Sequence, residues 1–166
     1  MNAIAVQRTG ASAMAHTLNT GKLRPGVPPV NPAAGELEGD IRCAVASAAP
    51  VLITGPLDAA YEIACSIHRF GRAASPLVAV DVDGSTGVDS IRQAFESAEP
   101  DGVLVLRSVD RLAVAEQPAL RGLLDRFNVR VIATSAVNLF AVVEGGAFDE
   151  RLFYRLNQIH LMTSVQ

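Results

Sequence analysis

The chain has 166 residues, of which 49% are hydrophobic and 19% are charged, and its formal net charge is −3. This length and composition are typical of one soluble globular domain with a proper core. No apolar run approaches the ~20 residues that cross a bilayer, and the N-terminus lacks the layout of a signal peptide, so we expect a cytoplasmic protein that does not bind membranes. Residues 1–35 carry +3, so the remainder carries −6. Because an acidic domain is unsuited to gripping phosphates, no direct DNA binding is expected.

The cysteines and histidines do not indicate a metal site. Cys43 and Cys65 fall in segments with helical periodicity, and the three histidines, His16, His68 and His160, are scattered. We interpret the cysteines as two small buried thiols rather than a disulfide or a metal pair. The spacing of the histidines predicts no metal ligands.

Residues 1–35 are predicted to be a flexible tail, and residues 36–166 the folded domain. The stretch Pro25–Pro32 contains four of the nine prolines, which remove hydrogen-bond donors and forbid helix, so it is predicted to be an extended linker. Arg8–Thr20 could form a short helix. Two interpretations of the tail stay open, namely a disordered leader and a segment that binds a partner.

Organised sequence begins near Gly35, where short apolar runs alternate with helical periodicity. The predicted strands are Val51–Thr54, Leu77–Val80, Val103–Leu106, Val129–Thr134 and Ile159–Met162. The predicted helices run from Leu37 to Ala48, Leu57 to Phe70, Val88 to Ser97, from Glu116 to Phe127, through Leu139 to Val143, and from Phe148 to Arg155. This alternation predicts an α/β fold in three layers, with a parallel five-stranded sheet covered on both faces. Ligands of such folds bind at the carboxyl ends of the strands.

The stretch Val51–Glu62 has the outline of a phosphate-binding loop, namely strand, loop and helix. A loop of this kind needs several glycines whose amides converge on phosphate, followed by a Lys and a hydroxyl for the terminal phosphates and Mg²⁺. Only Gly55 is present, and Tyr61 stands where the Lys belongs. The order of strand, loop and helix is therefore present, but the side chains and glycines that bind phosphate are not.

Three blocks of the sequence resemble the AAA+ domain of the sigma-54-dependent bacterial enhancer-binding proteins. Val51–Gly55, with Glu62 and Ile67–Arg69 after it, resembles that family's VLITGESGTGKE and AIHR motifs. Arg130–Thr134 resembles RVIAATNRDL, and Phe148–Asn157 resembles FREDLYYRLN. The resemblance covers the chain from about Gly35 onward. It implies a P-loop NTPase core of the AAA+ type in a bacterial transcription-control protein.

The departures from this family fall on the residues that carry its ATPase chemistry. Asp58 and Ala60 replace glycines of the phosphate loop, and Tyr61 replaces its lysine. Arg107 and Ser108 replace the Asp-Glu pair that serves Mg²⁺ and the attacking water, and an arginine can neither hold Mg²⁺ nor act as a base.

Further departures concern the family's sensor and its subunit contacts. Ala136 replaces the sensor asparagine, whereas Glu62 is retained. Of the two family arginines near the inter-subunit site, one is Asp149 and the other remains as Arg155. We also expect the helical lid, the GAFTGA loop and the helix-turn-helix of the family to be absent.

The sequence leaves the roles of several charged residues open. Arg107, Asp110 and Arg111 could form an ion-pair network in the empty nucleotide site or a solvated loop. Asp81 and Asp83 are interpreted as turn-capping residues.

Three further side chains, in the degenerate site and on the helices around it, are also interpreted. Tyr61 could pack its ring over the former phosphate space. His68 is interpreted as a surface or half-buried helix residue rather than a base. Arg155 could contact a neighbouring subunit or a partner, or pair with Asp149 or Glu150.

The leading functional hypothesis is a non-catalytic regulatory protein, a pseudo-ATPase that acts through protein–protein contacts in transcription control. Its partner would be an active enhancer-binding ATPase or another transcription regulator, and Asp149 and Arg155 are the candidate contact residues. No cofactor and no catalytic residue are expected. The alternative is an atypical nucleotide-binding protein or NTPase with a rebuilt phosphate site.

Overall fold

The computed structural model describes residues 4–7 and 32–165, with side chains described for residues 36–163. Its strands are β1 (Ile4–Gln7), β2 (Val51–Thr54), β3 (Leu77–Asp81), β4 (Val103–Arg107), β5 (Arg130–Ser135) and β6 (Ile159–Val165). Its helices are α1 (Pro32–Ala46), α2 (Leu57–Gly71), α3 (Val88–Ala98), α4 (Gln117–Arg126), α5 (Leu139–Glu144) and α6 (Glu150–Leu156). None of the helices in these residues is long and apolar enough to cross a membrane.

The strands form one sheet in the order β1-β6-β2-β5-β4-β3, and β2 to β6 are all parallel. The predicted five-stranded parallel α/β sheet is therefore confirmed. The chain crosses from β2 to the far edge at β3, returns through β4 and β5, and passes over β2 to reach β6. This order places β2 between β5 and β6, so the loop after β2 faces the ends of both neighbours.

The amino-terminal region departs from the sequence prediction. Ile4–Gln7, inside the range predicted as a tail, forms β1 and pairs antiparallel with β6, opposite Met162 to Val165. A stretch of four residues is too short to predict as a strand, and the partner strand decides its conformation. Helix α1 begins at Pro32 rather than after residue 35. The predicted helix Arg8–Thr20 and residues 25–31 of the predicted linker lie outside the described residues.

The sheet separates two apolar layers. On one face, α1 and α2 pack over the inward side of β2, β4, β5 and β6, with Ile53, Ile67, Val105 and Ile132 at the centre. On the other face, the last four helices cover the opposite side chains of the same strands, and Phe95, Leu104, Leu120, Leu152 and Leu156 fill this layer. Strands buried on both faces are continuously apolar, which is why the sequence shows runs rather than alternation.

Arg130 is the first residue of β5 and is buried, with only 5% of its surface exposed. Its guanidinium donates a hydrogen bond to the Ala44 carbonyl in the last turn of α1. A cation at the C-terminal end of a helix is favourable because the free carbonyls there carry partial negative charge. Burial lowers the pKa of Arg130. This contact ties the first helix to the middle of the sheet.

Gly55 ends β2 in a conformation that requires glycine. Its φ is +147°, and a Cβ atom placed on it would collide with the side chain and backbone of Thr163 in β6. Its amide donates to the Ser135 carbonyl at 2.9 Å, which joins the loop to β5. The glycine is therefore explained by the close approach of β6, without any phosphate.

Replacing Gly55 should destabilise the fold strongly. We expect Gly55→Ala to lower the free energy of unfolding by about 1–3 kcal/mol or more, since it adds both overpacking and backbone strain. Gly84→Ala is the matched control, because a Cβ atom at Gly84 has nothing within 4 Å. Urea denaturation of the two variants measures the difference. Equal stabilities would contradict the packing described for the β2–β6 contact.

Candidate functional site

The loop after β2 turns into helix at once. Pro56 is the last non-helical residue, and α2 begins at Leu57. The amide of Ala60 donates to the Pro56 carbonyl at 2.9 Å, as in the first turn of an ordinary α-helix. A phosphate-binding loop needs its amides free to converge on an anion. Here the residues at the loop positions are helical.

The side chains of this first turn point to solvent or to the core. Asp58 is exposed, and at a helix N-terminus its negative charge is favoured by the dipole. Ala60 is fully buried in the apolar layer beneath α1 and α2. Glu62 is exposed. Asp58, Ala60 and Glu62 are therefore close in space, as predicted. Asp58 lies in the first turn of α2.

Tyr61 and Arg107 are brought together across the sheet edge. The guanidinium carbon of Arg107 lies 4.6 Å from the centroid of the Tyr61 ring, in a cation–π contact. Nη1 of Arg107 also lies 2.9 Å from Oδ1 of Asp81. The Tyr61 ring, at the position where the resemblance predicts a lysine, thus packs against the Arg107 guanidinium. That cation is paired with the Asp81 carboxylate at the end of the neighbouring strand β3.

The alternative network of Arg107, Asp110 and Arg111 is not the one that forms. Asp110 instead accepts a hydrogen bond of 3.3 Å from the backbone amide of Ala136. Asp81 belongs to the arginine pair and is not a turn cap, whereas Asp83 is one. Hydrogen bonds from Ser85 and then Thr86 lower the pKa of Asp83.

His68 is half-buried as predicted, with Nε2 2.8 Å from the Ser75 carbonyl.

The electrostatics around Tyr61 favour its neutral phenol. A hydrogen bond with Cys65 is the largest effect and raises the pKa of Tyr61, burial raises it further, and Arg107 opposes them. Nε of Arg107 is buried and has no hydrogen-bond partner. This cation is therefore held mainly by an aromatic face and one carboxylate.

Neutral hydroxyls occupy the remaining strand ends. Ser108 is buried in the left-handed region (φ 60°, ψ 47°), and its amide donates to Oγ1 of Thr134 at 3.2 Å. Oγ1 of Thr54 and Nε2 of His160 share a hydrogen bond of 2.9 Å. Ala136 is exposed. Within residues 4–7 and 32–165, no cluster of three or more His, Cys, Asp or Glu side chains is placed to hold a metal ion.

Asp149 and Arg155, the candidate contact residues on α6, are both paired with α4. Nη1 of Arg121 lies 3.2 Å from each carboxylate oxygen of Asp149, and Asp149 also caps α6 by accepting from the Leu152 amide at 2.7 Å. Arg155 pairs with Asp125 at 2.9 Å. The predicted alternative partners of Arg155, Asp149 and Glu150, were therefore wrong. The two ion pairs form what we call the α4–α6 clasp.

Sequence reasoning missed Arg121, Asp125 and Gln117, which complete the clasp. Arg121 and Asp125 lie four residues apart on α4. Asp149 and Arg155 lie six residues apart, at the cap and near the end of α6. Only the packing of the two helices brings each arginine to its aspartate. Gln117 is buried, donates to the carbonyls of Leu112 and Ala147, and accepts from the Asp149 amide. The one signal in the sequence for this contact was a glutamine, Gln117, at the start of a predicted helix.

The sheet order and the position of the loop after β2 define an α/β fold of the P-loop NTPase class. Solved structures share it. NtrX from Brucella abortus in complex with ADP has a TM-score of 0.68 at 23% identity over 78% of this chain and 35% of that one. NtrX in complex with ATP also has a TM-score of 0.68, at 25% identity over 86% of this chain and 38% of that one. The P-loop NTPase domain of the sigma-54 transport activator from E. coli gives 0.60 at 18% identity, covering 78% of this chain and 97% of that one.

The chain belongs to the sigma-54 interaction domain family, whose pattern matches residues 32–164. The regulatory protein AtoC from Escherichia coli (strain K12) is 31% identical over 90 residues. This match covers 46% of this chain and 20% of AtoC, so the chain spans about a fifth of that relative. The predicted resemblance to the AAA+ domain of sigma-54 activators is confirmed.

His160 makes the stability of the fold depend on pH. Burial lowers the pKa of His160 below its ordinary value of 6.5. As the pH falls through about 6.5, the unfolded chain binds a proton that the folded chain does not, so the free energy of unfolding decreases, by at most about 1.4 kcal/mol per pH unit. His160→Gln should remove this component. Urea denaturation at about pH 7.5, 6.5 and 5.5 checks it, and an unchanged slope in the variant would contradict it.

Proposed function

We propose that this chain is a non-catalytic regulatory protein built on the sigma-54-activator AAA+ core. The observation that carries the proposal is the start of α2 at Leu57, with Ala60 fully buried. A loop that wraps around a nucleotide phosphate would need this segment to unwind, because residues 57–60 form the first turn of α2 and the Ala60 amide is bonded to the Pro56 carbonyl. Unwinding would also remove Ala60 from the core.

The charges around the site support the same conclusion. Phosphoryl transfer depends on positioning and on stabilising negative charge, through Mg²⁺ held by carboxylates and a lysine on the phosphates. At those positions the chain has Tyr61, Arg107 and Ser108. Arg107 is stacked on the tyrosine and paired with Asp81. Its charge is therefore satisfied within the molecule, which supports a pseudo-ATPase and no cofactor.

A protein partner accounts for what the chain retains. The block Phe148–Asn157 keeps its helix and its packing, with Leu152 and Leu156 fully buried. By resemblance, this block faces the neighbouring subunit in the family's rings. Asp149 is turned inward in the α4–α6 clasp, so this subunit would present no arginine from that position. A chain of this kind can occupy a place beside an active ATPase and change its activity in bacterial transcription control.

Nucleotides should not bind to the purified chain. With ATP, ADP or GTP and Mg²⁺, calorimetry is expected to give a Kd weaker than about 1 mM. NtrX from Brucella abortus, solved with ATP and with ADP, serves as the positive control. Micromolar binding that is weakened by Tyr61→Ala or Arg107→Ala would instead support the atypical nucleotide-binding protein.

The partner hypothesis is tested with the sigma-54 activators of the same organism. We expect co-purification with at least one of them and a change in its ATPase rate of about fivefold or more, an ordinary size for coupling between sites. Arg155→Ala should weaken the effect.

Arg92→Ala is the matched control for that experiment. The side chains of Arg155 and Arg92 are 43% and 45% exposed, and each pairs with an exposed aspartate. Exposed pairs of this kind contribute little to stability, so both variants should fold. If none of the activators binds, the partner hypothesis in this form is wrong.

A further inference from the structure

A concave pocket of about 300 Å³ lies between α5, α6 and the middle of β6. We call it the aromatic pocket, because its walls are Phe140, Phe153, Tyr154 and Met162. This volume is at the lower end of the range of small-molecule sites. A group of one or two fused rings fits within it.

The aromatic rings of the pocket are held by one another. The Phe140 and Phe153 centroids are 5.8 Å apart at an interplanar angle of 53°, and Phe153 and Tyr154 are 5.3 Å apart at 67°. Phe153 is only 4% exposed, yet Phe140 is 44% and Tyr154 is 58% exposed. The buried Phe153 ring thus contacts the two partly exposed rings of Phe140 and Tyr154. Aromatic side chains packed in this way are typical of binding hot spots.

The polar groups of the pocket are uncharged. Asn138, Asn157 and His160 complete the lining, which contains no Lys, Arg, Asp or Glu. Burial lowers the pKa of His160, which favours its neutral imidazole. The side-chain oxygen of Asn157 is buried and has no hydrogen-bond partner. An anionic ligand would find no counter-charge here, whereas an N–H or O–H group on a neutral ring would satisfy this acceptor.

The pocket is separate from the degenerate nucleotide site. Met162 pairs with Thr54 in the sheet register, so the pocket lies beside the carboxyl end of β2 and the middle of β6, which continues to Val165. Tyr61 and Arg107 do not line it.

We propose that the aromatic pocket binds a neutral, planar aromatic group of one or two fused rings that carries an N–H or O–H donor. Indole and phenol rings have this chemistry, either as free compounds or as tryptophan and tyrosine side chains of a protein. The proposal does not depend on the absence of ATPase activity. Nucleotide binding by the chain would therefore contradict the proposed function and leave this inference intact.

Titration of the ¹⁵N-labelled chain with indole, followed by NMR, tests the site. A Kd of about 0.1–1 mM is expected for so small a probe. Phe140→Ala and Tyr154→Ala should each weaken binding by about fivefold or more, as removal of a stacking partner does. Phe70→Ala is the matched control, since Phe70 is 70% exposed and does not line the pocket. 1-Methylindole should bind more weakly than indole, and adenosine monophosphate should not compete.

Two arms of the titration distinguish the source of the ring. N-acetyl-tryptophanamide that binds as well as indole indicates a side chain of a protein, whereas binding of indole alone indicates a free compound. Both outcomes support the site. The inference is overturned if indole does not bind, if 1-methylindole binds as tightly as indole, or if binding survives both Phe140→Ala and Tyr154→Ala.

Discussion

The early start of α2 is the constraint on which the rest of this structure depends. Gly55 is pressed against Thr163 of β6, and only two residues later the chain is helical. This allows Ala60 to be fully buried against the sheet, with Ile63, Ala64 and Ile67 continuing the same buried face. Only Gly55 and Pro56 separate β2 from the helix, which packs over the middle of the sheet. The space that a phosphate loop would enclose is used for packing.

The charges of the domain follow from that packing. The charged residues that the resemblance places at the nucleotide and inter-subunit positions are paired inside the chain. Arg107 lies between the Tyr61 ring and Asp81 at one end of the sheet, and the α4–α6 clasp joins Asp149 and Arg155 to helix α4. These exposed and half-exposed pairs contribute modestly to stability. Their main consequence is that the arginines and aspartates of these pairs are engaged with one another within the chain.

Much of the fold could be predicted, because its information is local. Continuous apolar runs marked all five parallel strands. Strand β1 was missed because four residues carry too little information without their partner. Among the candidate site residues, the positions of Tyr61 and Arg107 were predicted to be close. Their stacking, and the pairing of Arg107 with Asp81 instead of Asp110, could not be predicted, since a loop offers several carboxylates at similar sequence distance.

The sequence by itself determined the alternation of strands and helices and the family, and it predicted the replacement of the residues that handle phosphate and Mg²⁺. It did so because burial on two faces, helix periodicity and side-chain chemistry are properties of neighbouring residues. Only the tertiary structure decided that Arg107 pairs with Asp81, and that Arg155 meets Asp125. It also decided that Phe140, Tyr154 and His160 surround one pocket. These features depend on which strands are adjacent and on how the helices pack over them. No local segment determines that arrangement, because it results from contacts between residues far apart in the chain.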